Sequence, residues 1–303
     1  MITAIDLGSN SFRVVVFDCL SYEILGEYEE TVSTADGLTK TGKISNDACD
    51  RIVGAIKNSI AKLAFDPKKA ICKTTAAMRK ATNSDEILQK IQQDTGIMFE
   101  IISGEEEARL TMLAIQNAIK REKLDGSNFV FVDIGGGSCE LVVVQGDRIL
   151  AKSFDFGIVT LTQSQNNITE FLEIKKQVII DFLKDIDLSD TIFVSTAGTP
   201  TTIAAIKLGL KYSDYDRNKV NGTILFENDI DEFRMKLKVL SLEQVEILVG
   251  ARRTPFMEAG ALIFKMFFEA LKKSHAIIFD DGLREGIAID WCEKRHINNC
   301  IEA

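Results

Sequence analysis

"FVFVDIGGGSCELVVV", residues 129–144, sets three glycines, Gly135, Gly136 and Gly137, straight after an apolar run that ends in Asp133 and Ile134. Glycine admits positive φ and close backbone approach, so a glycine run after a strand marks a turn whose N–H groups can face an anion. An ordinary tight hairpin turn fits the same residues, and this stretch by itself leaves both readings open. It does decide the secondary structure. The turn feeds "CELVVV", a second strand, whereas a dinucleotide-binding turn runs from strand straight into helix and reads G-x-G-x-x-G. The expected element is a β-hairpin.

The same pattern stands near the N-terminus. "AIDLGSNSFRVVVFD" aligns with "FVDIGGGSCELVVVQ", pairing Asp6 with Asp133, Gly8 with Gly135 and Ser11 with Ser138. Further on, "AICKTTAAMRKA" resembles "IFVSTAGTPTTIAA", each reading as strand, Thr-rich turn and helix. Two matches in the same order, each about 120 to 130 residues apart, indicate a duplicated α/β domain. Between them, apolar spacing predicts a helix over 47–64, a helix opening after an Asn83 or Ser84 cap, and a long helix in "GEEEARLTMLAIQNAIKRE". The turn at 126–128 is the favoured domain boundary. In the second half, helices are expected in "FLEIKKQVIIDFLKDI", "SLEQVEILVGA" and "TPFMEAGALIFKMFFEALKKS". The strand "HAIIFDDG" and a last helix, "LREGIAIDWCEKRH", follow.

Composition narrows the function classes. The chain has 303 residues, 46% of them hydrophobic and only 3 prolines, as expected of a compact fold with room for two domains. A formal charge of −9 disfavours an extended nucleic-acid surface. The cysteines, Cys19, Cys49, Cys72, Cys139, Cys292 and Cys300, form no CxxC pair, and the chain has only two histidines, His275 and His296. That argues against zinc and for a reduced, cytoplasmic chain. "MITAIDLGSN" has no basic leader region, and no apolar stretch reaches the roughly 20 residues of a membrane span, so neither a signal peptide nor a membrane anchor is expected.

Six motifs in order carry a resemblance: "DLGSNSFR" (6–13), "TAAMRKATN" (75–83), "IISGEEEAR" (101–109), "DIGGGSCEL" (133–141), "STAGTPTT" (195–202) and "DDGLREG" (280–286). Together they resemble the exopolyphosphatase and guanosine pentaphosphate phosphohydrolase (Ppx/GppA) family of the actin-like ATPase superfamily. The resemblance implies an α/β fold of two duplicated ribonuclease H-like domains with an interdomain cleft that closes on substrate. It places domain I at 1–123 plus 287–303, with a returning C-terminal helix, and domain II at 124–286. The implied activity is hydrolysis of terminal phosphate from inorganic polyphosphate, with guanosine pentaphosphate as a further substrate. The alternatives are a primary guanosine pentaphosphate phosphohydrolase and a non-catalytic polyphosphate or alarmone sensor. An ATP-dependent kinase is the rival within the superfamily. Larger members continue with a helical region after the "GLREG" helix. This chain therefore reads as a short two-domain form, expected to favour short chains or to release long ones readily.

Carried over by position, the resemblance makes Glu107 the catalytic base, with Glu106 in reserve because "EEEAR" offers three consecutive acids. Taken alone, those acids also suit the first turn of any helix, where the macrodipole favours negative charge. The implied phosphate cradle is Gly8, Ser9, Asn10 and Ser11 in one hairpin and Gly135, Gly136, Gly137 and Ser138 in the other, with Arg13, Arg79 and Arg253 as cationic partners. Mg²⁺ is the expected cofactor, held by Asp6, Asp133 and Glu140, and a monovalent cation such as K⁺ is left open. For Asp6, Asp133 and Glu140, hairpin-turn hydrogen bonding is the competing reading. Arg284 is expected to fix the return of the last helix. The expected partners are polyphosphate or guanosine pentaphosphate, with no nucleic acid and no membrane. A homodimer is left open, with the apolar "FMEAGALIFKMFF" helix as a face for it.

Overall fold

The computed structural model describes residues 1–301 except 126, 165 and 166. The chain divides into two compact units, Met1–Ile115 with Asp281–Ala303, and Gln116–Asp280. Part of the turn favoured as a boundary, Gly126, lies outside the described residues.

The first unit is built on β1 (Ile2–Leu7), β2 (Ser11–Phe17), β3 (Ile24–Thr31), β4 (Ile71–Thr74) and β5 (Phe99–Ile101). They form one sheet in the order β3-β2-β1-β4-β5. The β1–β2 and β2–β3 pairs are antiparallel, and β4 and β5 join in parallel. Parallel neighbours need a crossover, and the helices supply it: α1 (Leu38–Thr41), α2 (Asn46–Leu63), α3 (Ala76–Lys80) and α4 (Ser84–Thr95), with α5 (Gly104–Arg121) following β5. The Ser45 hydroxyl caps α2 by accepting from the Ala48 N–H. Asn83 occupies the N-cap of α4 without capping it. Its side-chain amide instead pairs with both backbone groups of Ile44, tying the start of α4 to the chain before α2.

The second unit repeats the plan. Its strands are β6 (Asn128–Ile134), β7 (Cys139–Gln145), β8 (Arg148–Phe154), β9 (Ile192–Thr196), β10 (Thr223–Phe226) and β11 (His275–Ile278). The order β10-β11-β9-β6-β7-β8 reproduces the first sheet, with β10 added antiparallel at the edge. Residues 135–138 thus form the turn of a β6–β7 hairpin, as the sequence indicates. The helices are α6 (Ile158–Ser164), α7 (Ile168–Leu183), α8 (Gly198–Lys207), α9 (Arg217–Val220), α10 (Glu227–Val239), α11 (Leu242–Val249) and α12 (Met257–Leu271). The apolar helix considered for a dimer face is α12, and eleven of its fifteen residues are buried. It is spent on this unit's own core, where Phe264 and Phe268 pack against Phe193 of β9. Fully burying side chains of this size stabilises by about 1.5 to 3 kcal/mol each, which opposes turning them toward a second copy.

The chain ends with α13 (Leu283–Ile301), which returns to the first unit. Leu283, Ile287, Ala288, Ile289 and Cys292 join a core with Ile2, Ala4, Val15 and Phe17. Arg284, 4% exposed on its side chain, bonds to Glu285 and Glu27, so it fixes this return as expected. The expectation of a fully reduced chain is corrected: Cys19 and Cys292 form a disulfide with Cα atoms 5.3 Å apart. No short spacing could announce it, because the partners lie 273 residues apart and meet only when α13 folds back. Cys49, Cys72 and Cys139 are thiols, and burial pushes the Cys72 thiol up to about 12. Among the described residues, no helix is long and apolar enough to cross a membrane.

Candidate active site

Each unit carries one glycine-containing hairpin, and both are closed in the same way. The Gly8 N–H donates to the Ser11 carbonyl at 2.9 Å, and the Gly135 N–H to the Ser138 carbonyl at 3.0 Å. Behind each turn, the chain following the third strand takes up the turn's carbonyls. In the first unit, the Ser9 carbonyl accepts from Ala35 and the Asn10 carbonyl from Val32 and Ser33. In the second, the Gly135 carbonyl accepts from Ile158 and the Gly136 carbonyl from Val159 and Thr160, at the start of α6. A trans peptide sets C=O and the next N–H in opposite directions, and no peptide here is cis. The N–H groups of Asn10, Ser11, Gly136 and Gly137 therefore point to the other face of their turns, the arrangement of an anion-binding nest.

A Cβ on Gly157 would lie 2.6 Å from the Gly135 oxygen and from the Gly136 carbonyl carbon, so backbone meets backbone. A Cβ on Gly135 would itself lie 2.8 Å from the Ser138 oxygen. The sequence reading found the glycines of the turn but not Gly157, whose only signal is its position just after the third strand.

The strand register sorts the carboxylates. Asp6 faces Arg13 across β1–β2, whereas the equivalent pair across β6–β7 is Asp133 and Glu140. Glu140 is fully buried and accepts from the Ser153 hydroxyl at 2.7 Å. Like charges directly opposite on a sheet are destabilising, and a cation held at the Asp133–Glu140 pair would offset that repulsion. Among the described residues, no three His, Cys, Asp or Glu side chains are grouped to hold a metal ion. Two hard carboxylates nevertheless suit Mg²⁺, which is commonly held by one or two carboxylates and completed by phosphate oxygens and water. The donor set of the second hairpin fits the ion in that sense.

Of the three arginines, Arg13 forms an ion pair with Glu29 of β3 at 3.4 Å. Arg253 donates to the Thr202 hydroxyl of α8 at 3.4 Å and lies over the Tyr212 ring. Arg79, from α3, lies 3.5 Å from the Glu107 carboxylate and donates to the Ile102 carbonyl. That brings together two of the expected residues, the base candidate and one cation, within the first unit.

The three acids of α5 occupy different environments. Ser103 opens the helix, its carbonyl accepting from the Glu107 N–H and its hydroxyl from the Glu106 N–H. The Glu105 carboxyl is held below its usual range, first by its own backbone N–H and then by the Ser103 hydroxyl. Glu106 takes two hydrogen bonds from Arg109, at 2.7 and 2.8 Å, and these bonds lower its pKa. Glu107 alone is buried, 8% exposed, with Arg79 beside it. Glu106 is thus engaged by Arg109, and Glu107 is the one acid of the three that is buried.

The β9–α8 junction, within "STAGTPTT", is the strained point of the second unit. Ala197 adopts φ 78° and ψ 177°, a region that essentially only glycine enters without cost.

An Aquifex aeolicus member of the Ppx/GppA protein family, solved by crystallography, is similar in structure with a TM-score of 0.75 and 26% identity, covering 97% of this chain and 98% of that one. A Mycobacterium leprae protein named exopolyphosphatase 1 is 26% identical over 302 residues, 94% of this chain and 87% of the relative. A Vibrio vulnificus guanosine-5'-triphosphate,3'-diphosphate pyrophosphatase is 27% identical over 304 residues, 95% of this chain and 58% of the relative. The chain spans between 46% and 60% of the length of three of the curated relatives it matches. The Ppx/GppA phosphatase family model matches residues 14–295, from β2 into α13: the chain belongs to the Ppx/GppA phosphatase family.

Proposed function

We propose that this chain hydrolyses terminal phosphoanhydrides, releasing orthophosphate from inorganic polyphosphate, with guanosine pentaphosphate as a further substrate. The observation that carries the reading is Glu107, which alone of the three acids opening α5 is buried, with Arg79 beside it. The names of the Mycobacterium leprae and Vibrio vulnificus relatives support the two substrates. Hydrolysis needs a water directed at the terminal phosphorus and a group that accepts its proton as the P–O bond forms. Glu107 takes that proton at a carboxylate oxygen. Arg79 keeps the carboxylate oriented and offsets negative charge as the bridging oxygen departs. The carbonyls pinned behind each turn direct the N–H groups of Asn10 and Ser11 in one unit, and of Gly136 in the other, to the face we assign to phosphate oxygens. Arg13 and Arg253 add positive charge to the phosphate-binding surface of their own units.

Asp133 and Glu140, opposite each other in the second hairpin, are the residues we assign to Mg²⁺; Asp6 is the corresponding carboxylate of the first hairpin, in its own unit. Bound there, the ion would neutralise phosphate charge and stabilise the departing oxygen. Excess chelator is expected to abolish phosphate release, and added Mg²⁺ to restore it. Full activity in chelator would refute the assignment.

A second expectation tests the cradle. Gly157→Ala forces a Cβ into the backbone of Gly135 and Gly136. Overpacking of this kind costs about 1 to 3 kcal/mol, and here the strain falls on the phosphate turn. KM for polyphosphate should rise by about tenfold or more while the fold is retained. An unchanged KM would remove this turn from the binding surface. The preferred substrate is read from kcat/KM measured for polyphosphate and for guanosine pentaphosphate. Binding of either without phosphate release would favour a sensor.

A further inference from the structure

We infer that Arg109 is a positioning residue for Glu107, acting through a clamp between α5 and α13. The inference rests on the proposed role of Glu107. Arg109 grips Glu106 of its own helix with Nε and Nη2, at 2.7 and 2.8 Å, and reaches Asp290 of α13 at 2.9 Å. Asp290 is held from its other side by Lys294 at 2.8 Å. One turn before Asp290, Gly286 lets α13 touch the α5 backbone, where a Cβ would stand 1.9 Å from the Leu110 oxygen. Neighbouring residues of α5 are thus pinned by residues four apart on α13. Two fixed points one turn apart resist rotation of α5 about its own axis, which a single contact cannot do.

Rotation is what the site cannot tolerate. Successive helical residues lie about 100° apart, so Glu107 projects from a different side of α5 than the clamped Glu106. With side-chain atoms about 5 to 6 Å from the axis, a turn of about 10° displaces a carboxylate by about 1 Å. A misplacement of about 1 Å can cost about 10² in rate. As a source of stability the same contacts are weak. The Arg109, Glu106 and Asp290 side chains are 39%, 37% and 17% exposed, and exposed ion pairs contribute little. The clamp should therefore show in kcat rather than in the melting temperature. Burial acts to raise the Asp290 pKa, and the bonds from Lys294 and Arg109 outweigh it, so Asp290 stays charged and able to hold Arg109 at neutral pH.

The test is steady-state hydrolysis of inorganic polyphosphate by Asp290→Asn, with Arg109→Gln as a second variant should the first fail to fold. Thermal melting is recorded for both. The expected result is a kcat lower by about tenfold or more, KM within about twofold, and a melting temperature near that of the wild type. Asp290→Glu, which keeps the charge, should recover most of kcat. Unchanged kcat in the folded variants would overturn the clamp. So would a loss of activity that follows the melting temperature, or no recovery in Asp290→Glu. Wild-type protein inert toward both polyphosphate and guanosine pentaphosphate would instead overturn the proposed function, and that measurement comes first.

Discussion

Glu107→Gln is expected to lower kcat for phosphate release by about 10² to 10⁴ while leaving KM and the fold nearly unchanged. The amide fills the same volume beside Arg79 and cannot accept the proton of the attacking water. Substrate affinity should hold, because the carboxylate is assigned to the water rather than to phosphate oxygens. Glu106→Gln is the control. Glu106 is engaged by Arg109, so its loss should act only through the clamp, with a far smaller effect on kcat. A fall of less than about tenfold in Glu107→Gln, or a larger fall in Glu106→Gln, would move the base to Glu106 or away from this motif.

Reduction of the Cys19–Cys292 bond is expected to destabilise the first unit alone. The bond joins residues 273 apart, and closing so long a loop removes much of the freedom of the unfolded chain. In the chain-entropy account the stabilisation is about 5.6 kcal/mol, corresponding to a fall in Tm of about 11 to 22 °C for a unit of this size. A chain of two units need not melt in one step, so the probe must report on one of them. The single tryptophan, Trp291, is suited to this, because it adjoins Cys292 and packs on the same core. Its fluorescence transition should move to lower temperature in dithiothreitol and in Cys19→Ser, and dithiothreitol should not shift the variant further. An identical transition in oxidised and reduced protein would contradict the bond's structural role.

What could be read from residues alone was what repeats or alternates. The Asp6–Asp133 and Gly8–Gly135 correspondences predicted two like hairpins, and both sheets share one strand order because the same pattern was written twice. The long amphipathic helices also followed from their spacing. Short elements packed by tertiary contacts were not legible: β10 is a four-residue edge strand with Ile224 and Phe226 exposed, which blurs its alternation. Asn83 was a plausible cap whose amide is spent on Ile44, a partner 39 residues away. The three acids of "GEEEAR" looked alike in one dimension. What separates Glu106 from Glu107 is Arg109 on one side of the helix and burial on the other, and the Asp290 that completes the clamp comes from the far end of the chain.

In the proposed reaction, water positioned by Glu107 takes the terminal phosphoryl group. It is tested most directly by turnover of inorganic polyphosphate and of guanosine pentaphosphate in oxygen-18 water with Mg²⁺, followed by mass spectrometry of the released phosphate, for wild type and Glu107→Gln. The account predicts that phosphate released by the wild type carries one solvent oxygen per cleavage and that release nearly ceases in the variant. Absence of release from both substrates, or equal label and rate in Glu107→Gln, would contradict it.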